Sequence, residues 1–85
     1  MATVRPEETP NPNAKKFTLD TKLPASMNFR SAEAAEGNPF AAAVFQIEGV
    51  VQVFGVNDFV TVTRAPGADW SVIVDGVAQA AAEHL

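Results

Sequence analysis

The stretch from Val50 to Thr63, VVQVFGVNDFVTVT, constrains the fold more than any other part of the chain. β-branched and aromatic residues fill its two arms, Val50–Phe54 and Phe59–Thr63, and the residues between them, Gly55 to Asp58, favour a turn. This pattern predicts a β-hairpin. Because an isolated hairpin is only marginally stable in water, the rest of the chain must supply more strands and a helical cover.

The N-terminal part of the chain is rich in proline. Pro6, Pro10 and Pro12 exclude a helix, since proline lacks a backbone N–H, and each biases the residue before it towards extended geometry. We therefore expect a flexible start over residues 1–8 and a single domain over residues 9–85. Within that domain, Thr9–Asn13 is predicted to be an extended segment.

Two strands are predicted before the hairpin. In Ala14–Asp20, Phe17 and Leu19 alternate with Lys16 and Thr18, which indicates one buried and one exposed face. Met27–Arg30 is predicted to return beside this first strand. On the second arm of the hairpin, the same alternation predicts that Val60 and Val62 face the core.

Two helices are predicted, one before the hairpin and one after it. Asn38-Pro39 is a favourable helix start, and apolar residues then recur at helical spacing, so the pattern predicts a helix over Pro39–Gln46. Gly49 ends this segment. Ser31–Gly37, which is rich in alanine and glutamate, fits either a helical turn or a loop.

The last segment carries conflicting signals. Trp70–Val74 alternates and is β-prone. However, one stripe of a longer helix, capped by Asp69, would contain Trp70, Ile73, Val77, Ala81 and Leu85. We favour the helix, because burial in the tertiary structure commonly overrides weak local propensity. The predicted fold is thus a two-layer α+β domain, with about four strands in a mixed or antiparallel sheet and both helices on one face.

Composition narrows the possible functions. The chain has 85 residues, no cysteine and one histidine, which excludes disulfides, thiolate metal ligands and cysteine-ligated clusters within it. Residues 1–30 hold five basic and three acidic side chains, whereas residues 31–85 hold one basic and seven acidic. An acidic body repels nucleic acid, and no apolar run is long enough to span a membrane. We expect a cytoplasmic protein, because the first ten residues lack the apolar core of a signal peptide. A monomer is also expected.

Several motifs resemble one known family. Residues 9–17 read TPNPNAKKF, and they are followed in order by Asn38-Pro39, by residues 45–50 (FQIEGV), by residues 58–63 (DFVTVT) and by Asp69-Trp70. Together these resemble the N-terminal domain of the Nfu/NifU-type iron–sulfur scaffold proteins, over about residues 8–85. The resemblance implies a small α+β fold with helices on one face of a sheet.

The resemblance also implies a role in iron–sulfur cluster biogenesis. Full-length members carry a second domain with a Cys-x-x-Cys pair that binds the cluster, and these 85 residues contain no cysteine. We therefore expect a non-catalytic partner-interaction module that holds no cofactor and contacts assembly or acceptor proteins. Two alternatives stay open: a weak divalent-metal (iron) binding protein, and an interaction domain unrelated to iron.

Partner-binding candidates lie in the N-terminal third. Asn11 and Asn13 of the proline-stiffened Thr9–Asn13 segment could offer side-chain amides to a partner, or could bond the local backbone to fix a turn. If the first two strands pair, Lys15, Lys16 and Arg30 could form a basic patch that attracts an acidic partner; solvated strand-edge charges are the alternative.

Other chemistry has weaker support. Glu48, Asp58 and Asp69 are the carboxylates to consider for a divalent cation, although their spacing does not show that they converge. Alternatively, Glu48 flanks a helix end, Asp58 serves the turn and Asp69 is only a helix cap. The serines have no histidine near them in sequence, so the chain is not expected to be an enzyme.

Overall fold

The computed structural model describes residues 2–85, which form a five-stranded antiparallel sheet with two helices. The strands are β1 (Val4–Glu8), β2 (Ala14–Leu19), β3 (Met27–Phe29), β4 (Val50–Val56) and β5 (Phe59–Arg64), and the helices are α1 (Pro39–Phe45) and α2 (Trp70–His84). The order across the sheet is β1-β2-β5-β4-β3. The predicted α+β class is confirmed, with five strands instead of about four.

The central hairpin forms as predicted, with a shorter turn. β4 continues through Gly55 and Val56, so Asn57 and Asp58 alone connect it to β5. Asn57 has a φ of 55°, a left-handed conformation that asparagine tolerates better than most residues. Gly55 is needed within the strand for another reason: a Cβ there would lie 2.8 Å from a methyl carbon of Leu23.

The start of the chain differs from its prediction. The expected flexible segment over residues 1–8 is wrong for Val4–Glu8, which pairs antiparallel with β2 as an edge strand. Pro6 is compatible with this position because an edge strand has one side without ladder partners. Thr9–Asn13, predicted to be extended, is instead the loop that joins β1 to β2.

The short strand β3 also has a different neighbour from the one predicted. Met27 and Phe29 pair with Gly55 and Val53 of β4, at the sheet edge opposite β1. The prediction that this segment returns beside the first strand is therefore wrong. A three-residue strand has too weak a pattern to specify its partner, and β4 offers a free edge beside a hydrophobic pocket over Gly55.

The core lies between one face of the sheet and the two helices. The alternation predicted for β2 and β5 is confirmed: Phe17, Leu19, Val60 and Val62 are all buried. Each helix adds one stripe of buried side chains to the same cluster. These are Phe40, Ala41 and Val44 from α1, and Ile73, Val77, Ala80 and Ala81 from α2. Both predicted helices are thus confirmed, and residues 70–74 are helical.

The opposite face of the sheet carries neither helix. We call it the open sheet face, and define it by the side chains that alternate with the core positions along each strand: Arg5, Glu7, Ala14, Lys16, Thr18, Asn28, Gln52, Phe54, Val56, Phe59, Thr61 and Thr63. Phe54 is 38% exposed there. In the region from residue 2 to 85, neither helix is long and apolar enough to cross a membrane.

Candidate partner-binding site

The Thr9–Asn13 loop is held by its own side chains. The Thr9 hydroxyl accepts the N–H of Asn11 at 3.2 Å and donates to the carbonyl oxygen of Ala14 at 2.8 Å or of Asn11 at 2.9 Å. The Asn11 side-chain oxygen accepts the N–H of Asn13 at 2.9 Å, as in an Asx turn. Thr9 and the Asn11 side-chain oxygen therefore bond the local backbone to fix a turn, which is the second of the two roles considered in the sequence.

Two residues distant in sequence fasten this loop to the rest of the domain, and we call Arg64 and Trp70 the loop anchor. The Trp70 indole N–H donates to the carbonyl oxygen of Pro12 at 3.2 Å. Arg64 donates through Nε to the Asn13 side-chain oxygen at 3.3 Å, and through its backbone N–H to the Asn13 carbonyl at 2.7 Å. The loop is thus tied to the end of β5 and the start of α2.

The anchor is itself stacked. The Arg64 guanidinium carbon lies 5.0 Å from the Trp70 ring centroid, and the Lys15 ammonium lies 5.2 Å from it. Both distances fall within the range of cation–π attraction. A further bond from Arg64 Nη1 to the Ala68 carbonyl oxygen, at 2.7 Å, holds the guanidinium in place. The loop is therefore ordered before any partner arrives.

Asn11 is an exposed loop residue with unused hydrogen-bonding capacity. Its side-chain oxygen serves the turn, but its amide nitrogen donates to no protein group among residues 2–85, and the residue is exposed. Asn13 is half-buried and its oxygen is occupied by Arg64. The amide nitrogen of Asn13 has no acceptor among residues 2–85 either, but Asn11 is the more exposed of the two residues.

The predicted basic patch is not formed. Lys15 pairs with Glu8 at 2.9 Å on the helix side of the sheet, whereas Lys16 lies on the open sheet face, with its ammonium 4.7 Å from the Phe59 ring centroid. Arg30 is exposed and follows β3, three strand spacings or about 14 Å across the sheet from β2. The patch required the first two predicted strands to be neighbours, and they are not.

The three candidate metal carboxylates do not converge. Glu48 and Asp69 line one shallow groove of about 430 Å³ between the α1–β4 and β5–α2 connections. Asp58 lies in the turn at the other end of the six-residue strand β5, about 20 Å away. Within residues 2–85 no three His, Cys, Asp or Glu side chains are grouped to hold a metal, and with no cysteine the donor set does not fit an iron–sulfur cluster.

Asp69 has a structural role that predicts a pH dependence. Its carboxylate caps α2 by accepting the Ser71 hydroxyl at 2.7 Å and the Ser71 N–H at 2.9 Å. The Ser71 hydroxyl first, then the backbone N–H groups and Arg64, hold the pKa of Asp69 below its ordinary value. A lowered pKa means that this stabilisation is present above the pKa of the unfolded chain and is lost as the pH falls through the folded pKa.

We expect the wild type to lose more stability between pH 6 and about pH 3 than Asp69→Asn does. Asparagine still accepts the Ser71 N–H but does not titrate, so it removes only the charge-dependent part of the cap. Urea unfolding followed by circular dichroism at the two pH values measures this. Equal losses in both proteins would contradict the assignment.

Sequence reasoning missed the loop anchor. Trp70 was assigned to a helix stripe, and Arg64 was assigned no role. The bonds that reveal the anchor join residues 51 and 58 positions apart, so no local spacing reports them. A tryptophan at the first position of a helix is an available signal, because a half-buried indole N–H generally needs an acceptor.

The chain matches one protein-family model and several known proteins. The family model described as "Scaffold protein Nfu/NifU N terminal" matches residues 4–85. A NifU-like protein of Schizosaccharomyces pombe is 37% identical over 86 residues, which cover 96% of this chain and 33% of that protein. A protein of Drosophila ananassae named as a mitochondrial NFU1 iron-sulfur cluster scaffold homolog is 37% identical over 73 residues, covering 82% of this chain and 26% of its own length.

Solved structures agree with the fold. The crystal structure of protein SAV1430 from Staphylococcus aureus has a TM-score of 0.78 at 27% identity, covering 92% of this chain and 96% of that one. The solution structure of SeR13 from Staphylococcus epidermidis has a TM-score of 0.65 at 28% identity, covering 98% of each chain. The chain spans about a quarter to a third of the curated relatives above. It belongs to the Nfu/NifU scaffold N-terminal family.

Proposed function

We propose that this domain is a non-catalytic partner-contact module in iron–sulfur cluster assembly, and that it does not ligate the cluster itself. The observation that carries the proposal is the Thr9–Asn13 loop, which is exposed at Asn11 and yet fixed by Arg64 and Trp70. The family description and the relatives' names support the link to cluster assembly. In this proposal, the partner proteins carry the iron–sulfur cluster.

The loop suits recognition because contacts within the domain already hold it in one conformation. A flexible loop loses conformational entropy when a partner immobilises it, whereas this loop is held by its own Asx turn and by the anchor. In the proposed contact, Asn11 donates its amide hydrogens to a partner acceptor, and Thr9 and Asn13 keep the loop in shape. Lys16 and Arg30 belong to the proposal as separate cationic contacts.

The test is a comparison of Asn11→Asp with wild type in affinity capture of identified iron–sulfur assembly and acceptor proteins. Aspartate keeps the oxygen that accepts the Asn13 N–H, so the turn survives, but it has no amide hydrogens to donate. We expect capture to fall by about five- to tenfold, from the loss of one hydrogen bond and the added charge.

Asn57→Asp is the matched control. Asn57 is exposed in the two-residue turn of the central hairpin, and aspartate tolerates its positive φ, so this variant makes the same chemical change away from the loop. Capture by Asn57→Asp should equal that of wild type. An equal loss in both variants, or assembly proteins absent from every capture, would contradict the proposal.

No contact among residues 2–85 favours the divalent-metal alternative, since Asp58 lies far from Glu48 and Asp69. The alternative of an interaction domain unrelated to iron is distinguished by the proteins captured. The cytoplasmic location and the monomeric state stay predictions.

A further inference from the structure

The open sheet face has an apolar centre with a cationic end. The Phe54 and Phe59 ring centroids lie 6.4 Å apart with the rings tilted by 52°, and the Lys16 ammonium lies 4.7 Å from the centre of the Phe59 ring. These three side chains form a row that crosses β4, β5 and β2. The row lies on the sheet face that neither helix covers.

Two pairs of polar side chains on this face are hydrogen-bonded to each other. The Thr18 hydroxyl donates to Glu7, and the Gln52 side-chain nitrogen donates to Asn28 at 3.2 Å. Lys16 has no carboxylate within ion-pair distance among residues 2–85, where Lys15–Glu8 is the one ion pair. Its directly opposite neighbour on β1 is Glu7, whose carboxylate accepts the Thr18 hydroxyl, so Arg5 and Lys16 leave the face with one net positive charge.

Charge is divided between the two layers of the domain. The open sheet face carries Arg5 and Lys16 against Glu7. The helices and their connections, residues 31–49 and 65–85, carry six carboxylates and no lysine or arginine. An approaching acidic partner is repelled by the helical layer and attracted to the sheet.

The sheet edges are poor sites for adding a strand. β1 has Pro6 at its centre, which cannot donate to a neighbouring strand, and β3 is only three residues long. A second copy of the domain is also a poor occupant of the face. Five strands of this length present about 400–500 Å² of sheet, so two copies would bury at most about 1,000 Å² in total, which is too little for a stable dimer and suits a transient contact with a single helix.

We propose that the open sheet face binds an amphipathic helix of a partner protein, one whose apolar stripe is flanked by carboxylates. The apolar stripe packs on Phe54 and Phe59, and the carboxylates pair with Lys16 and Arg5. A helix across the uncovered face adds a third layer to this two-layer domain. This inference deepens the proposed function, since it names the chemistry of the partner element and places it on a surface separate from the Asn11 loop.

The test uses purified domain and two designed 18-residue helical peptides with the same leucine stripe, one flanked by glutamate and the other by lysine. Amide chemical shifts of the domain are followed by NMR during each titration. We expect saturable shifts confined to the open sheet face with the glutamate peptide, and at least about fivefold weaker binding of the lysine peptide.

Paired variants locate the contact. Lys16→Glu and Phe54→Ser should each weaken binding of the glutamate peptide by about fivefold or more. Lys22→Glu, in an exposed loop, and Val72→Ser, at a 53% exposed position on α2, are the matched controls and should bind as wild type does. Thermal unfolding of each variant checks that it is folded.

Three results would overturn the inference: no saturable shift at about 1 mM glutamate peptide, equal binding of both peptides, or shifts on the helical layer. Sedimentation of the free domain checks the remaining occupant, because a dimer broken by Lys16→Glu would assign the face to a second copy. Purified components separate this test from the capture experiment, so the helix inference can fail while the Asn11 result stands, and the reverse.

Discussion

Phe17→Ala is expected to lower the free energy of unfolding by about 3–5 kcal/mol. Phe17 is fully buried at the centre of the sheet, opposite Val60, and its removal leaves a cavity between the sheet and the helices. A domain of this size has a total stability towards the lower end of about 5–15 kcal/mol, so the variant should be largely unfolded or close to its midpoint at room temperature. Urea unfolding, followed by the fluorescence of the one tryptophan, Trp70, measures the change.

Phe54→Ala is the matched control because the same side chain is removed from the other face of the sheet. Phe54 is 38% exposed and contacts Phe59 across one strand pair, so the expected cost is under about 1 kcal/mol. If Phe17→Ala is too unstable to purify, Phe17→Leu gives a smaller loss of about 1–3 kcal/mol that still exceeds the control. Similar costs at positions 17 and 54 would mean that the open sheet face is buried in solution.

Gly49→Ala is expected to cost about 2–4 kcal/mol. Gly49 has a φ of 95°, which strains any residue with a Cβ, and a Cβ placed there would lie 2.5 Å from the Cβ of Ala68. Its carbonyl oxygen also accepts the N–H of Ala65 at 2.7 Å, so the α1–β4 connection cannot move away without loss of that bond. The backbone strain at position 49 and the overlap with Ala68 therefore both add to the loss of stability. Thermal and urea unfolding of the purified variant measure the cost.

Gly67→Ala separates the two contributions to this cost. Gly67 has a similar φ of 87°, but a Cβ there would meet no atom within 4 Å. Only the backbone strain remains, so the expected loss is about 1–2 kcal/mol. The difference between the two variants measures the close approach of Gly49 and Ala68. If both variants lose the same amount, the connection relaxes more easily than its hydrogen bond suggests.

The loop at residues 9–13 was predictable in part. Its prolines and the resemblance to the family drew attention to it, and short polar side chains such as Thr9 and Asn11 commonly bond their own backbone. Its attachment to Arg64 and Trp70 was not predictable, because the bonds join residues more than 50 positions apart. The exposure of Asn11 and the occupation of Asn13 follow from that attachment, so they required the tertiary structure.

Local sequence patterns were sufficient to predict the elements whose patterns are long or sharply bounded. Periods of two residues predicted the hairpin of β4 and β5 and the buried sides of β2 and β5. Periods of 3.6 residues, together with caps, predicted the helix that starts at Pro39 and the buried stripe of α2. These depend on interactions within a few residues of each other. The absence of cysteine likewise determined, from composition alone, that no thiolate in these 85 residues can ligate a cluster.

Apart from the β4–β5 hairpin, the neighbours of each strand became known only from the tertiary structure. Strand β1 exists because β2 offers it a free edge, and β3 joins β4 at the far side of the sheet instead of the first strand. In that order, Lys16 lies on β2 and Arg30 follows β3 at the far edge of the sheet, so the predicted basic patch does not form. Lys16 instead lies beside Phe59. Pairing between distant segments depends on the free energy of the whole sheet, and the pattern within any one strand does not record it.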